Sequence, residues 1–521
     1  MVPATDPRRW WALTALCLAV FMVAVYGTVL SLATPSIVAD LAPSASQILW
    51  IGDIYAFVLA GLLVTMGSLG DRIGRKRLLL IGGTAFAVLS VPAAMADSAG
   101  QLILLRALLG VAGATLMPAT LALLRTTFVV ATERTFAVGV WSAASAAGAA
   151  AGPLLGGLLL NSYWWGSVFL LNLPMMALVI GIGLPSLRES KDPNPGPFDP
   201  LSALLSLVGI LGVVFALKEL ATGGSPVTML PLALAAGLVL LWFVRRQLAL
   251  PHPLIDVRLF RNGPFTGAVV AMMLAVFGLA GAIFFFSQFL QFVVGLTPLQ
   301  AGLFELPATA AALVGSLLAG RLLRRVGRGP ATAGALLAIA VGMLAVAVLL
   351  DRPSVLWFAV PLILIGAGDG IAIAVTSDTV LAVAPRDRVG AASAVSETGY
   401  QLGAALGIAL LGSVLTMAYQ AGLRQPVEGV DAAVAQAARQ SPGNAFESAA
   451  GLPDQVAVAL LDSVAAAFQQ ALSLTVVLGA VILALGAVLS WWLLPRRGQE
   501  LAEFSTTKAG SSSRADGDDG R

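Results

Sequence analysis

The chain has 521 residues, of which 58% are hydrophobic and 11% are charged, and its formal net charge is +3. Soluble domains carry roughly a quarter charged residues, so this composition excludes a soluble globular protein. No strict glycine period or large charge excess occurs, which also excludes collagen-like and disordered chains. We therefore predict a polytopic membrane protein.

Fourteen apolar runs that are long enough to cross a membrane follow one another along the chain. A helix needs about 20 mainly apolar residues to cross the hydrocarbon core. The first run follows Arg8 and Arg9, as a signal peptide would, but it is long and thirteen spans follow it, so it is interpreted as an uncleaved helix. The predicted spans are 11–36, 47–70, 78–96, 101–124, 136–160, 166–184, 201–220, 229–248, 266–292, 299–320, 331–350, 355–384, 391–418 and 468–494.

Basic residues fall mostly on one side of these spans. Short loops rich in Lys and Arg stay on the cytoplasmic side of a membrane. With the N-terminus inside, Lys218, Arg352, Arg424 and Arg439 lie outside, Arg106 lies within a span, and the rest of the 30 basic residues are cytoplasmic. Both termini are therefore predicted to be cytoplasmic. The basic residues lie in separate short turns, which does not indicate a nucleic-acid surface.

A short sequence repeat predicts two related halves. The segment GSLGDRIGR at 67–75 returns as GRLLRRVGR at 320–328, an offset of 253 residues. Both copies follow a span that ends in the cytoplasm, and they lie eight spans apart. This spacing predicts an all-α fold with two pseudo-symmetric six-helix bundles and two inserted linker helices.

The predicted domains follow from that arrangement. The external loop, at about 420–465, contains the Ala-rich segment AAVAQAARQ, which favours short amphipathic helices over an unstructured loop. The domains are an N-terminal bundle at 1–184, a linker at 185–264, a C-terminal bundle with the external loop at 265–494, and a disordered cytoplasmic tail at 495–521.

Several motifs give the chain a resemblance to the major facilitator superfamily. The segment GSLGDRIGRKR nearly matches the family signature G-x-L-a-D-r-x-G-r-k, LILLRALLGVAGA carries Arg106 in the fourth span, and GAAAGPLLGG at 148–157 resembles the antiporter pattern. With LWIGDIYAFVLAG at 49–61 and WWGSVFLLNLP at 164–174, the chain is similar to the 14-helix drug:proton antiporters of the quaternary-ammonium exporter type.

This resemblance implies a proton-coupled secondary exporter in the cell membrane. Such a protein expels lipophilic compounds, with cations as candidates, by alternating access, and confers resistance to drugs or toxins. The expected partners are a small lipophilic substrate, protons and the lipid bilayer, with no nucleic acid and no cofactor. The chain is expected to act as a monomer.

Two other functions remain open from the sequence. One is a proton-coupled carrier of a single metabolite or self-made antibiotic, and the other is a non-transporting sensor with the transporter fold. The sequence contains no G-x-x-x-x-G-K-[ST] motif, so it does not indicate ATP as the energy source. An enzyme is disfavoured because no nucleophile–base pair is evident, and Cys17 with His252 leaves no zinc-type ligand cluster.

The first span departs from the family at one position. The segment YGTVLSLATPSI at 26–37 resembles D-x-T-V-x-N-V-A-L-P, with Tyr26 in place of the acidic residue. In the resembled exporters that carboxylate is linked to drug or proton handling, so we expect a narrower range of cations here. A tyrosine still offers an aromatic face and a hydroxyl group.

Ionisable residues within spans are costly unless they are paired or face water. Burial favours the neutral form of a carboxyl group, which allows it to take up a proton on one side and release it on the other. We therefore predict proton coupling by Asp53, Asp369 and Glu397, with Arg106 as the partner of a titrating carboxylate. Asp53 and Glu397 match acidic residues of the resembled exporters, whereas Asp369 is expected to replace part of the missing first-helix charge. Asp378 is predicted to be interfacial.

Two glycine-containing motifs carry further predictions. The carboxylate of Asp71 can cap a helix N-terminus and pair with arginine, which predicts a latch that holds one conformation; the alternative is a basic turn that only sets topology. The latch comprises Gly67, Asp71, Arg72, Gly74, Arg75 and Lys76. The antiporter-motif residues, predicted to pack closely against another helix, are Gly148, Gly152, Pro153, Gly156 and Gly157.

The aromatic run FFFSQFLQF at 284–292 places phenylalanines and glutamines on different helix faces. We expect Phe285 and Phe289 to face lipid, in preference to forming a drug-binding wall. Gln288 and Gln291 are expected to face protein, because lipid cannot satisfy their hydrogen bonds. The candidate substrate cavity comprises Tyr26, Gln288, Gln291 and Glu305.

Overall fold

The computed structural model describes residues 7–43, 45–191, 199–221, 225–251, 253–254, 257–296, 298–350, 352, 355–384, 389–423, 430–440, 442–449 and 451–495. Within these ranges the regular structure is helical. The predicted tail after Pro495, most of the Pro-rich segment before the seventh span, and His252 lie outside the described residues.

The described helices match the predicted membrane spans. Thirteen helical segments are long and apolar enough to cross a membrane, with Ser167–Ser186 counted as one, and Pro200–Val213 is a further, shorter apolar helix. The α-helices are α1 (Arg8–Leu41), α2 (Ala45–Ile73), α3 (Arg75–Ala94), α4 (Ala99–Thr127), α5 (Ala131–Ser162), α6 (Ser167–Leu170), α7 (Asn172–Ser186), α8 (Pro200–Ala221), α9 (Pro226–Ala249), α10 (Gly263–Phe292), α11 (Pro298–Val326), α12 (Arg328–Leu349), α13 (Ala359–Val383), α14 (Val389–Gly422), α15 (Ala432–Gln440), α16 (Pro442–Ala449) and α17 (Asp454–Leu493). The predicted all-α membrane fold is confirmed.

The N-terminal bundle consists of α1 to α7, and small residues hold α5 close to α1. A Cβ atom at Gly148 would meet the carbonyl group of Phe21, and one at Gly152 would meet the hydroxyl group of Thr28. That hydroxyl group also donates a hydrogen bond to the carbonyl oxygen of Ala149, at 3.1 Å. Small residues allow helix backbones to approach in this way.

The C-terminal bundle consists of α10 to α14 and α17, with α13 at its centre. A Cβ atom at Gly366 would meet the backbone of Ala308, and one at Gly370 would meet the backbone of Ala312, both on α11. Helix α13 packs against α12 as well. The glycines therefore place α13 in backbone contact with its neighbour.

The sequence repeat corresponds to one backbone geometry that occurs in both bundles. Gly74, between α2 and α3, has a φ of 112°, and Gly327, between α11 and α12, has a φ of 87°. A positive φ favours glycine, because other residues pay a steric cost there. We use the term basic face for the end of the molecule that holds these two turns and the start of α1.

The inserted helices α8 and α9 pack on each other, and α8 also packs against α2 and α14. At the basic face, Arg246 donates from Nε and Nη2 to the two carboxylate oxygens of Asp199, at 2.9 and 3.1 Å. Ser202 donates to the same carboxylate at 2.6 Å. The hydrogen bonds from Arg246, with help from Ser202, lower the pKa of Asp199 to about 2.

Short helices occur between α14 and α17, as the Ala-rich sequence predicted, but α17 starts earlier than the predicted span at 468–494. Helix α15 coincides with AAVAQAARQ, α16 follows it, and α17 starts at Asp454. The hydroxyl group of Tyr419 donates to the carbonyl oxygen of Ala438 at 2.8 Å, and Arg439 Nε donates to that of Leu423 at 2.9 Å. Hydropathy placed the start of α17 too late because its first turns pack against α16 and not in the apolar span.

The expectation that Phe285 and Phe289 face lipid is wrong, since both are buried. Phe285 fills the space beside Gly412 of α14. The Phe289 ring stacks on Phe286 with 6.0 Å between centroids. The aromatic run is therefore core of the C-terminal bundle, and helical periodicity could not show which face of α10 its neighbours cover.

Candidate functional site

Arg106 lies in the buried core of the N-terminal bundle, and tyrosines surround it. Its Nη1 donates to the hydroxyl oxygen of Tyr26 at 3.4 Å, and its Nη2 donates to the carbonyl oxygen of Gly52 at 3.0 Å. The guanidinium carbon lies 5.4 Å from the ring centre of Tyr26 and 5.8 Å from that of Tyr55. Aromatic rings at such distances attract a cation. Tyr26 thus offers Arg106 a ring and a hydroxyl group where the resembled exporters have an acid.

An aromatic cluster encloses this arginine. The rings of Tyr26 and Tyr55 meet edge to face with 4.6 Å between centroids, and Phe86 lies 5.2 Å from Tyr26. Helix α4 approaches this cluster closely, since a Cβ atom at Gly113 would lie 2.9 Å from the hydroxyl oxygen of Tyr55. The cluster excludes water from the arginine, which strengthens its electrostatic interactions.

Two carboxyl groups of the interior, those of Asp369 and Glu397, lie in the other bundle, on α13 and α14. Asp369 is 4% exposed, and its Oδ1 has no hydrogen-bond partner among the described residues. Oε1 of Glu397 accepts a hydrogen bond from Gln401 Nε2 at 3.3 Å. Tyr400, one helical turn after Glu397, interacts electrostatically with both carboxyl groups. These residues form one polar group within the C-terminal bundle.

Tyr55 links the two bundles. It interacts electrostatically with Arg106 in its own bundle and with Glu397 in the other, and its helix packs against α14. Asp53 lies on α2 two residues earlier, but its side chain is outside the described residues. We use the term central polar cluster for the set that crosses between the bundles: Tyr26, Tyr55, Arg106, Asp369, Glu397 and Tyr400.

The bundles are also bonded to each other at the basic face. Oδ1 of Asp71 accepts from Nε and Nη2 of Arg75 at 2.8 and 2.6 Å, and its Oδ2 accepts from the backbone N–H of Ala391 at 3.1 Å. Ala391 lies in the first turn of α14, where the helix dipole favours a carboxylate. Arg125 Nη1 donates to the carbonyl oxygen of Ala384, at the end of α13, at 2.6 Å.

Asp378 adds to these contacts. We use the term joint for the contacts that Asp71, Arg125 and Asp378 make between the bundles at the basic face. The carboxylate of Asp378 is fully buried and forms ion pairs with Arg134 of α5 and Arg328 of α12, each at 3.0 Å. The prediction that Asp378 is interfacial stays a prediction, and the structure adds that two arginines neutralise its charge inside the protein. Sequence reasoning missed the pairing, although the repeat offset aligns Asp378 with Arg125 and so marks it as a counterpart of a basic residue.

The other predicted latch residues hold the segment after α7. The backbone N–H groups of Lys76 and Arg77 each donate to the carboxylate of Glu189 at 3.1 Å. Arg75 Nη1 donates to Ser190 Oγ at 2.7 Å. Glu189, which the sequence did not single out, therefore caps the N-terminus of α3. The remaining predicted latch residues lie in the last turns of α2: Gly67 and Arg72.

The antiporter-motif residues differ in their surroundings. Gly148 and Gly152 lie against α1, as described above, and Gly156 is buried. Gly157 is exposed, and a Cβ atom there would meet nothing within 4 Å. The side chain of Pro153 lies outside the described residues.

The residues assigned to a substrate cavity do not lie together. Gln291 Nε2 donates to the carbonyl oxygen and the hydroxyl group of Ser287, at 3.2 and 3.3 Å. Glu305 of α11 also interacts with Ser287, and Gln288 is partly exposed on α10. These residues belong to the C-terminal bundle, whereas Tyr26 is buried in the N-terminal bundle.

Comparisons with known proteins cover nearly the whole chain. The family model described as Major Facilitator Superfamily matches residues 16–408. The multidrug efflux pump LfrA of Mycolicibacterium smegmatis is 43% identical over 486 residues, which cover 93% of this chain and 96% of that protein. The methyl viologen resistance protein SmvA of Salmonella typhimurium is 36% identical over 491 residues, covering 94% and 99%. The solved structure of the proton:xylose symporter XylE has a similar fold, with a TM-score of 0.61, 14% identity and coverage of 94% and 96%.

Proposed function

The chain belongs to the major facilitator superfamily, and from this membership we propose that it is an exporter that expels small lipophilic compounds in exchange for protons. The observation that carries the proposal is the position of Asp369 and Glu397, two carboxyl groups inside a membrane protein and close to the contact between its bundles. The efflux and resistance proteins to which the chain is similar support export as the direction of transport.

Exchange follows from competition for the same carboxyl groups. A deprotonated carboxylate attracts a lipophilic cation, and a protonated one does not. Asp369 and Glu397 would therefore release a cation as they bind protons, and bind it again after losing the protons. Substrates of such carriers bind near the midplane between the halves of the fold.

Coupling also requires that protonation favour one conformation over the other, because a ligand shifts an equilibrium only through different affinities for the two states. The described conformation is held together at the basic face by Asp71, Arg125 and Asp378. Opening that face would change the distance between Tyr55 and Glu397, since they belong to different bundles. The charge of Glu397 would then differ in energy between the two states.

We propose further that the basic face is cytoplasmic and that both termini lie there, in the cell membrane of a bacterium. The arginine-rich turns support this orientation through the positive-inside rule. A monomer is sufficient for the mechanism, because the central polar cluster is complete within one chain.

The exchange is tested by efflux from proteoliposomes under an imposed pH gradient, with a monovalent lipophilic dye as substrate. We expect the triple variant Asp53→Asn, Asp369→Asn, Glu397→Gln to lose gradient-driven efflux, because its neutral side chains can neither bind protons nor attract the cationic dye. Asp199→Asn is the matched control, because it removes a carboxylate outside the cluster. Efflux that ignores both the gradient and the loss of the three carboxyl groups would contradict the proposal.

The presence of Tyr26 in place of an acidic residue supports the expectation that the protein transports a narrow range of cations. A buried arginine without a nearby carboxylate on the first helix is expected to disfavour divalent cations. Cells with the protein should gain more resistance to monovalent quaternary ammonium compounds than to methyl viologen, and Tyr26→Asp should reduce that difference. Strong resistance of cells with the unmodified protein to many divalent cations would contradict this expectation.

A carrier for a single metabolite or self-made antibiotic is the second candidate, and Tyr26 is the observation that favours it. The same susceptibility profile separates the two functions, since a dedicated carrier protects against one compound only. A sensor that does not transport would leave the cellular phenotype intact when Asp53, Asp369 and Glu397 are neutralised together.

A further inference from the structure

The two bundles meet along two seams, and helix α8 covers one of them. Helix α8 packs against both α2 and α14, which form that seam. The contact is close, since a Cβ atom at Gly61 would lie 2.7 Å from Leu207 of α8. The inserted pair thus covers the α2/α14 seam with protein.

The second seam, between α5 and α11, is tightly packed near the basic face. A Cβ atom at Gly139 would lie 2.5 Å from the carbonyl oxygen of Ser316, and one at Gly320 would lie 3.5 Å from Cγ2 of Thr135. Among the described helices, α8 and α9 pack elsewhere. The outer side of the α5/α11 seam is therefore free to contact the bilayer.

An apolar stripe on α11 runs along this outer side. Val314 is 51% exposed, Leu318 is 44% exposed and Leu317 is exposed as well. Their spacing of three and four residues places them on one helix face. On α5, Phe136 is 46% exposed and lies beside Gly320, whose Cβ position is 3.9 Å from the Phe136 nitrogen. These exposed side chains form an apolar surface that suits contact with hydrocarbon chains.

Arginines continue the same face at the end of the helix. Arg321 and Arg324 are exposed and lie one to two turns beyond Leu317 and Leu318. In the other bundle, the repeat offset places the buried Ser68 and Asp71 at the equivalent positions.

The nearby acidic side chains already have partners of their own. Glu133 at the start of α5 pairs with Arg9 at 2.7 Å, and Asp378 pairs with Arg134 and Arg328. An anion that approaches Arg321 and Arg324 therefore meets positive charge.

We propose that the outer side of the α5/α11 seam binds an anionic phospholipid, with its acyl chains along the α11 stripe and its phosphate at Arg321 and Arg324. The guanidinium fork matches the geometry of phosphate oxygens. The lipid occupies on this seam the place that α8 occupies on the other. Because Phe136 of α5 lies beside this stripe, the lipid contacts both bundles near the Arg134–Asp378 ion pair. The proposal depends on the membrane fold and not on the proposed transport.

Native mass spectrometry of the full chain in detergent, titrated with phosphatidylglycerol or phosphatidylcholine, tests this binding. We expect tighter binding of phosphatidylglycerol, and about 30-fold weaker binding in the double variant Arg321→Gln, Arg324→Gln, because each arginine at an anionic lipid surface contributes about 1 kcal/mol and 1.4 kcal/mol corresponds to tenfold. The matched control is Arg77→Gln, Arg245→Gln, which removes two exposed arginines of the basic face at a distance from the seam.

Two further measurements distinguish binding of the whole lipid from binding of its headgroup alone. Glycerol phosphate, which lacks acyl chains, should not compete with phosphatidylglycerol, and Leu317→Ser, Leu318→Ser should weaken lipid binding while the chain elutes as a folded monomer. Equal binding of the two lipids, equal losses in the arginine variant and its control, or full competition by glycerol phosphate would each overturn the proposal.

Discussion

At the basic face, the two bundles carry opposite charges at equivalent positions. The repeat offset aligns Asp71 with Arg324 and Arg125 with Asp378. Related halves that kept the same charges would bring like charges towards each other at the joint. The reversal instead lets Asp71 reach the N-terminus of α14 and lets Asp378 pair with Arg134 of the other bundle. The two bundles attract each other at the basic face because these equivalent positions differ in charge.

The same contrast recurs in the interior. The N-terminal bundle buries the guanidinium of Arg106 among tyrosines, whereas the C-terminal bundle buries the carboxyl group of Asp369 and holds the half-buried Glu397. Tyr55 interacts with the charges of both bundles. Protonation of Glu397 therefore changes its interaction with Tyr55, which belongs to the other bundle.

Removal of the buried cation should have the largest effect. Arg106→Gln leaves the hydroxyl group of Tyr26 and the carbonyl oxygen of Gly52 without their partner. Leaving these two polar groups unsatisfied costs about 1–3 kcal/mol each, so we expect gradient-driven dye efflux to fall by about a hundredfold. Arg245→Gln, a substitution on the exposed side of α9, is the control. Normal efflux by Arg106→Gln would show that the contrast between the bundles has no role in transport.

The joint at the basic face is tested next. Asp378→Asn leaves Arg134 and Arg328 facing each other without a carboxylate, which costs about 3–5 kcal/mol and favours the state that is open at this face. A cysteine that replaces the buried Ser316, in a Cys17→Ser background, should react at least about tenfold faster with a membrane-impermeant thiol reagent.

Asp199→Asn is the matched control for this experiment, because it removes an arginine-paired carboxylate from the inserted helices and not from the joint. Equal labelling rates in Asp378→Asn and Asp199→Asn would place the attraction between the bundles elsewhere.

The two related turns offer a smaller, paired test. Alanine at Gly74 or Gly327 must adopt a positive φ, which costs about 1–2 kcal/mol. Gly74→Ala also places a methyl group against the carboxylate of Glu189, so it should lower the melting temperature more than Gly327→Ala does. Thermal unfolding of the purified variants measures the difference, and the reverse order would mean that Glu189 does not hold this turn.

The smallest expected effect concerns pH. The pKa of Asp199 is about 2 in the folded chain, below the ordinary value of 3.8 for an aspartate side chain. Its pairing with Arg246 therefore stabilises the fold fully above about pH 4, and this contribution is lost as the pH falls through 2. The melting temperatures of the unmodified chain and of Asp199→Asn should differ at pH 6 and converge towards pH 2. A difference that stays constant over this range would exclude the ion pair as its cause.

Much of the architecture could be predicted from the sequence because membrane helices are strongly constrained. A span needs a long apolar run and short loops need particular charges, so the spans and the repeat at Gly74 and Gly327 were evident. The start of α17 was placed too late, because its first turns contain Asp454 and Asp462 and pack on α16. The wrong expectation for Phe285 has a different cause, since lipid and a protein core are equally apolar.

The candidate site was predicted only in part. Asp369, Glu397 and Arg106 are conspicuous because charge is rare inside spans. Tyr55 and Tyr400 were missed, since aromatic residues are common in membrane helices. Nothing in the sequence shows that Tyr55 interacts with groups of both bundles, or that Tyr400 interacts with two carboxyl groups. The ion pairs of Asp378 were missed because its partners lie 244 and 50 residues away.

The sequence by itself determined the membrane class, the spans, the repeat and the small set of charged residues in the interior, since each depends on local composition along the chain. Only the tertiary structure decided which charges face one another, because ion pairs and helix caps depend on distances between segments that the chain brings together from far apart. The reversal of charge between the bundles was present in the sequence as Asp71 and Arg324, and as Arg125 and Asp378. Its physical meaning required the two bundles to be placed against each other.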